Sequence, residues 1–523
     1  MADKLYFSRD AKLYVELTSK AGTFQGLWEV PVLDGFSFSQ ATNQTEIGLA
    51  EMESTGGISR RGRRLFTDSL APAEWSFSTY IRPTLKNTTE HHLVDEVLWA
   101  AMAGADLHAG SGSSENGDFT RNANDRATAT GIVMDVTGSS DLTGPTSNSG
   151  ALMSFAESNR TILPEITLYF VFETDPDNPM VYKMSKAVVN ECSIDFDIDG
   201  IATANWSGFA KEVEDLTSKG LVEAAASAPT TGGTYTAWLD SSAGNDNRLN
   251  ILDSAAWKPA YNTGVTSTNN FIRNRVTQLD VRGRNTDVLE GKTHVISNIS
   301  SASNAVITTS TDHGLKVGDT VTISGVVDDD ASGNGTLEAA INTTHTVDSV
   351  PATNTFTVGV NSSSLDAYVS GGTAATGLYS FTLTGGNITI SNNVTYLVPE
   401  ELGTINKPLD AVTGARAIGG NFTCYLVFDD AGGDTGSSSD FFSDLVDPNA
   451  GLTKVVNDFD VTFKVGGATS GDPRMYLNFP KVHIDVPTHS VEDIISLETT
   501  FGAYTNDFNT VDEFNLEVYG VSA

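Results

Sequence analysis

Residues 61 to 83, "RGRRLFTDSLAPAEWSFSTYIRP", turn within a few positions from a basic elbow into a regular alternation. Successive side chains of an extended strand point to opposite faces. Trp75, Phe77, Thr79 and Ile81 therefore share one face, and Ser76, Ser78, Tyr80 and Arg82 the other. The stretch predicts a half-buried strand. A second stretch, "NFTCYLVFDD" at 421 to 430, repeats it in chemical type, Phe77-Ser78-Thr79-Tyr80-Ile81 against Phe422-Thr423-Cys424-Tyr425-Leu426.

The parallel continues along the chain. Each strand leads through a polar loop into a helical pattern. In "TEHHLVDEVLWAAM", 89 to 102, Leu93, Val97, Leu98 and Met102 recur at helical spacing behind a Thr89 cap; in "SSDFFSDLVD", 438 to 447, Phe441, Phe442, Leu445 and Val446 do so behind Ser438 or Ser439. Farther on, "DNPMVYKMSKAVV" (177 to 189) parallels "GDPRMYLNFPKVH" (471 to 483), sharing the turn proline, a tyrosine (Tyr182, Tyr476) and a following lysine (Lys186, Lys481). "IDGIATANWSGFA" (198 to 210) and "VEDIISLETTFGA" (491 to 503) close each series. One order of strand, helix, hairpin and closing strand, met twice, predicts a tandem duplication of a β-rich domain.

Residues 294 to 378 read differently, as short strands with turns at His313-Gly314, Val317-Gly318-Asp319 and Pro351, and with Lys316 as their one basic residue. "FIRNRVTQLDVRG", just upstream, already begins the second copy. The expected organisation is a first domain over 1–225, a second formed by 226–293 and 379–523, and a small all-β domain, 294–378, inserted in an exposed loop of the second.

The chain has 523 residues, with 66 Asp and Glu against 31 Lys and Arg, a formal charge of -35. Most of such a surface repels free nucleic acid. Cys192 and Cys424 lie too far apart for a disulfide framework or zinc ribbon and are expected as buried thiols in a reducing compartment. "MADKLYFSRDAKLYVEL" contains no apolar signal core, and runs such as "ITLYFVF" are too short to cross a membrane. A soluble, unsecreted chain is expected.

No phosphate-cradling glycine fingerprint and no nucleophile elbow occur. Asp195, Asp197, Asp199 and Gly200 begin like a calcium loop, but its twelfth position is Trp206, so the alternation with Ile194, Phe196 and Ile198 predicts a strand with one wet face. His91 and His92 are neighbours on the predicted helix and do not share a face. No catalytic, cofactor or metal site is expected. Arg60, Arg61, Arg63 and Arg64 form the one cationic cluster that invites a role, as a subunit contact in which guanidinium forks dock on carboxylates of another copy.

Through "DGFSFSQATNQTEIGLAEMESTGGISRRGRRLFTDSLAPAEWSFSTYIRP" (34 to 83), "ELGTINKPLDAVTGARAIGGNFTCYLVF" (401 to 428) and "FPKVHIDVPTHSVEDIISLETTFGAY" (479 to 504), the chain resembles the tail tube, or major tail, proteins of tailed bacteriophages. The insert is similar to a small β module of phage tail and baseplate proteins. The resemblance implies a mainly β fold of two tandem tail-tube-type β-sandwich domains, each with a flanking helix, plus the inserted domain. It implies a structural virion protein of the tail, made in the host bacterial cytoplasm, with no enzymatic activity, cofactor or membrane partner. Its partners would be itself, in rings stacked into a tube, and other phage tail proteins, with genomic DNA passing through an acidic lumen without specific binding. Three duplicated chains would give a pseudo-sixfold ring, favoured over six. The alternative is a virion adhesin or carbohydrate-binding tail protein that uses the insert as its recognition surface.

Overall fold

Short runs of Val, Ile, Thr and aromatic residues favour pleated, half-buried strands, and strands dominate the regular structure. The structure, a computed structural model, describes residues 5–18, 24–33, 35–47, 65–86, 90–103, 132–133, 151–154, 163–172, 180–197, 200–215, 221–223, 239–240, 248–251, 270–274, 278–283, 291–315, 317, 319–329, 337–398, 407–428, 436–446, 458–467, 472–491, 494–505 and 513–520.

The N-terminal half runs β1 (Ala11–Thr18), β2 (Phe24–Val30), β3 (Ser37–Glu46), β4 (Leu65–Tyr80), β5 (Pro83–Lys86), β6 (Glu90–Leu93), α1 (Glu96–Ala103), β7 (Ile132–Val133), β8 (Ala151–Ser154), β9 (Glu165–Phe172), β10 (Met180–Asp197), β11 (Thr203–Ala210) and β12 (Glu212–Asp215). A small sheet of β13 (Leu221–Glu223), β14 (Leu239–Asp240) and β15 (Arg248–Ile251) follows. After β16 (Gln278–Gly283) comes the insert, with β17 (Thr293–Ile299), β18 (Ala305–Thr309), β19 (Thr320–Asp328), α2 (Leu337–Ile341), β20 (Thr344–Ala352), β21 (Thr355–Val358) and β22 (Tyr368–Ala375). The chain continues through β23 (Leu378–Ser391), β24 (Thr395–Leu397), β25 (Asp410–Val412), β26 (Ala417–Tyr425), α3 (Ser438–Val446), β27 (Phe459–Gly466), β28 (Arg474–Ile484), β29 (Thr488–Val491), β30 (Ile495–Ala503) and β31 (Asn515–Tyr519).

Both halves pair their strands in the same antiparallel order. One layer of the first half is β2-β1-β9-β10-β12 and the other β3-β4-β11-β10. In the second half they are β23-β16-β27-β28-β31 and β23-β26-β30-β28. Every one of these pairings in the first half has its counterpart in the second. β10 and β28 cross from one layer to the other at register shifts after Met184 and Phe479, as bulges re-aim a strand. β23 serves alone where the first half uses β2 and β3. Counting from the shifts, Lys186 and Lys481 correspond, whereas Tyr476 matches Val181, not Tyr182. Tyr182 packs on Phe38 and Tyr476 on Tyr519.

Two helix limits differ from expectation. α1 begins at Glu96 because Glu90–Leu93 pairs with Pro83–Lys86 as a hairpin, and Thr89 lies outside the described residues. Val97, Leu98, Trp99, Ala101 and Met102 are all buried, so the helix has no wet face to give it a clean periodic pattern. α3 is capped by Ser437, whose hydroxyl accepts from Asp440 N at 3.3 Å while Asp440 accepts from Ser437 N at 3.1 Å. This reciprocal box leaves Ser438 to bond Tyr425 O and Val427 N.

The insert is a closed barrel, β17-β18-β21-β20-β19-β22, around its own core of Ile307, Val321, Ile323, Val347 and Phe356. It separates β16 from β23, the counterparts of the paired β1 and β2. Leu378, expected in the insert, already pairs with Arg282 in β23, and Pro351 lies within β20 rather than at a turn. Arg282 fastens the barrel to β16: Nη1 donates to Thr376 O at 3.1 Å and faces Asp319 at 3.2 Å, and Nη2 donates to Gly314 O at 2.6 Å. Gly291 allows the close crossing, having φ +57° and no room for a Cβ, which would sit 2.4 Å from Leu378 N.

Between the layers, Trp99 meets Trp206 edge-on at 5.0 Å, and Trp206 Nε1 donates to Thr79 Oγ1, which donates to buried Asp95. Burial pushes the Asp95 carboxyl from 3.8 up to about 6. The folded chain therefore keeps a proton that the unfolded chain has lost, and the cost of the buried charge, at most about 3 kcal/mol at about 1.4 kcal/mol per pKa unit, is complete above pH 6 and vanishes below about pH 4. Relative to Asp95→Asn, the unmodified protein should gain stability as pH falls from 7.5 to 4.5. Melting temperatures of both proteins at the two pH values test this, and a difference independent of pH would refute it.

Candidate assembly interface

The second half of β10 pairs with β23, joining the two halves of the chain. Glu191 lies opposite Ser391, Cys192 opposite Ile390, Ser193 opposite Thr389, Ile194 opposite Ile388, Asp195 opposite Asn387 and Phe196 opposite Gly386. The result is one sheet, β3-β4-β11-β10-β23-β26-β30, finished at its far side by β29 and the end of β28. On the core side Cys192, Ile194, Ile388 and Ile390 are buried, and Phe196 stacks on Phe463 at 5.8 Å. Burial pushes both thiols up, that of Cys424 to about 12, so both act as small apolar groups.

The wet face is a lattice of neutral donors around one carboxylate. Asn387 and Asn205 donate to the two oxygens of Asp195, the latter at 3.0 Å, while Ser78 donates to Asn205 at 2.7 Å and Thr389 to Asn387 at 2.9 Å. A clamp from the second half backs the joint. Arg416 Nη2 donates to Ala103 O at the C-terminal end of α1, Nε donates to Asn392, and Nη1 faces Glu513 at 3.7 Å. A cation suits the partial negative charge at that helix end. Asn392 in turn donates to Met102 O and Val189 O.

The sheet is unusual in charge. β3, β4, β10 from Val188 onward, β11, β23, β26, β29 and β30 contain Glu46, Asp68, Glu74, Glu191, Asp195, Asp197 and Glu498, and no lysine or arginine. The strands of the opposite layer do carry cations, among them Lys183, Arg282, Lys464 and Arg474. Among the described residues β3 pairs only with β4, and β29 only with β30. Around β29, Val427, Phe428, Val491 and Ile494 are exposed, as at surfaces that meet a partner.

Arg60, Arg61, Arg63 and Arg64 lie outside the described residues. Leu65, the first described residue after them, pairs with Glu46 at the end of β3. Asp195 serves the wet face of the strand, and His91 and His92 stand in β6 rather than on a helix. No group of three His, Cys, Asp or Glu among the described residues is placed to hold a metal ion. The joint itself and the Arg416 clamp were not read from the sequence; the Gly385-Gly386 pair opposite bulky Phe196 was the available sign.

No protein-family model matches the chain. Over 516 residues it is 22% identical to Tail tube protein pb6 of Escherichia phage T5, covering 97% of this chain and 75% of that protein. The resemblance to phage tail tube proteins is borne out. It spans both halves, so the repeated pairing order and the joint belong to the part of the chain that is similar to a tail tube protein.

Removing one partner of a buried ion pair costs about 3–5 kcal/mol. Arg416→Ala should therefore lower unfolding stability by about 3 kcal/mol, and adding Glu513→Gln should recover part of the loss. Urea denaturation of the single and double variants measures both, and an unaffected single variant would remove the clamp.

Proposed function

We propose that the chain is a structural protein of a phage tail tube, whose copies join edge to edge into rings that stack as the conduit for DNA into the host. The observation that carries this reading is a run of sheet strands without lysine or arginine, bounded by β3 and β29, each of which pairs on one side only among the described residues. Closing such a sheet through further copies removes the edges that otherwise template aggregation. A lining of hydroxyls, amides and carboxylates gives DNA phosphates nothing cationic to grip.

The repeating unit is the pair of sandwich domains, 1–225 and 226–293 with 379–523, and the insert is carried on the second. Each chain brings eight strand positions to the sheet, so three chains bring 24. At about 4.8 Å between strands and a tilt of about 40°, that closes with a radius of roughly 24 Å, and six chains would double it. Trimeric, pseudo-sixfold rings are the arrangement we favour over six chains. Stacking and attachment to other tail proteins fall to segments outside the sheet, with Arg60, Arg61, Arg63 and Arg64 clamping carboxylates of a neighbouring copy. No helix among the described residues is long and apolar enough to cross a membrane, and neither catalysis nor a cofactor enters the scheme.

Purified protein should form hollow cylinders in negative-stain microscopy, and persistent monomers would contradict the reading. Deleting 293–375 should leave the cylinders intact; if it instead abolishes binding to host cells or glycans, the insert is the recognition surface of an adhesin. Reversing charge with Arg61→Glu and Arg64→Glu should impair polymerisation while circular dichroism stays unchanged. Unaltered polymerisation would remove the clamp.

A further inference from the structure

The joint inside the chain specifies a second joint. Resting on the reading that copies meet edge to edge, we propose that β29 of one chain pairs antiparallel with β3 of the next, with Thr488 opposite Ser39, His489 opposite Phe38, Ser490 opposite Ser37 and Val491 opposite Phe36.

The register follows from the two halves. Val188 faces Phe209 in the first half as His483 faces Gly502 in the second. Ser193 faces Asn205 as Thr488 faces Glu498, and the two series stay in step from Val188 to Asp195 and from His483 to Ser490, with Phe196 and Val491 next in each. β29 is thus the counterpart of the very residues of β10 that pair with β23. On the other side, Ser37 faces Ser76 and Phe38 faces Trp75, as Asn387 faces Asn421 and Ile388 faces Gly420. With Phe77 matched to Phe422, Ser37 takes the place of Asn387 and Phe36 that of Gly386. Transferring the β10–β23 register then fixes each opposed pair.

Side-chain volumes agree with the transfer. Inside the chain, Phe196 lies opposite Gly386 and its ring stacks on Phe463. At the proposed seam the small residue is Val491 and the ring is Phe36, which stacks on Phe170 at 5.4 Å. Phe170 is the counterpart of Phe463. Each joint thus has one aromatic ring at this site, supplied from the β10 side within the chain and from the β3 side between chains. Val491 is 74% exposed where its counterpart Phe196 is 5% exposed, as expected of a joint that awaits its other strand. Pro487 replaces Cys192 and lacks a donor, so the ladder is confined to Thr488–Val491. The contact is heterologous, β29 to β3, and closes by rotation.

Directly opposed residues of paired strands have Cβ atoms about 4.5–5.5 Å apart, within disulfide reach, while a diagonal neighbour is about 7–8 Å away. Full-length chains carrying Thr488→Cys with Ser39→Cys, or Ser490→Cys with Ser37→Cys, should form tubes in reductant and, on oxidation, link into dimers and closed rings on non-reducing gels. Ser490→Cys with Ser39→Cys, displaced by two residues, should link at least several-fold less. In parallel, amides of β3 and Thr488–Val491 in the unmodified chain should gain hydrogen-exchange protection on assembly, a readout independent of whether the cysteine variants assemble. Tubes without this protection, or with stronger linking of the displaced pair, would overturn the seam and leave the tube reading standing. Failure of the unmodified chain to form rings or tubes would overturn both.

Discussion

A strand at the edge of a sheet carries backbone donors and acceptors that must meet a partner or water, and that constraint organises this molecule. Each half presents two edges in the wet layer. Fusion of the halves satisfies two of them permanently through β10 and β23, with Arg416 and Asn392 bonding the end of α1 behind the joint. The remaining two among the described residues, on β3 and β29, belong to different halves and differ in side chains.

Charge is partitioned by layer rather than by domain. In the wet layer β3, β4, β11, β23, β26, β29, β30 and β10 from Val188 onward lack lysine and arginine, Lys481 standing where β28 crosses between the layers, whereas the opposite layer mixes Lys183 with Glu214 and Lys464 with Asp280. Acidic composition alone speaks to solubility. A face whose only charges are acids, running unbroken across the internal joint and held by neutral donors around Asp195, is a property of the assembled sheet.

Much of the fold was legible because strand alternation is local. The strand around Phe77 and its match around Phe422 lie in β4 and β26, and α3 ends within one residue of its expected limit. The errors arose where tertiary contacts decide. Glu90–Leu93 gives up its helical pattern to a hairpin, and Tyr182 and Tyr476 look alike in sequence although the bulges place them on opposite faces of their strands. The joint left little trace in the sequence because pairing between Asp195 and Asn387, 192 positions apart, gives no periodic signal, only small Gly386 to face Phe196.

The insert sits away from the acidic face. It leaves from the connection between β16 and β23 in the layer opposite the acidic face, so it burdens neither the joint nor either free edge. Its attachment uses a register position at which the two halves differ. Arg282 occupies in β16 the place that Glu16 holds in β1, since Lys12 faces Val171 as Gln278 faces Lys464. In the first half Glu16 accepts from Tyr169 within its own layer at 2.7 Å. In the second the position is cationic and reaches outward to Asp319 and to the carbonyls of Gly314 and Thr376. Corresponding positions of the two halves thus bond within the layer at Glu16 and out to the inserted barrel at Arg282.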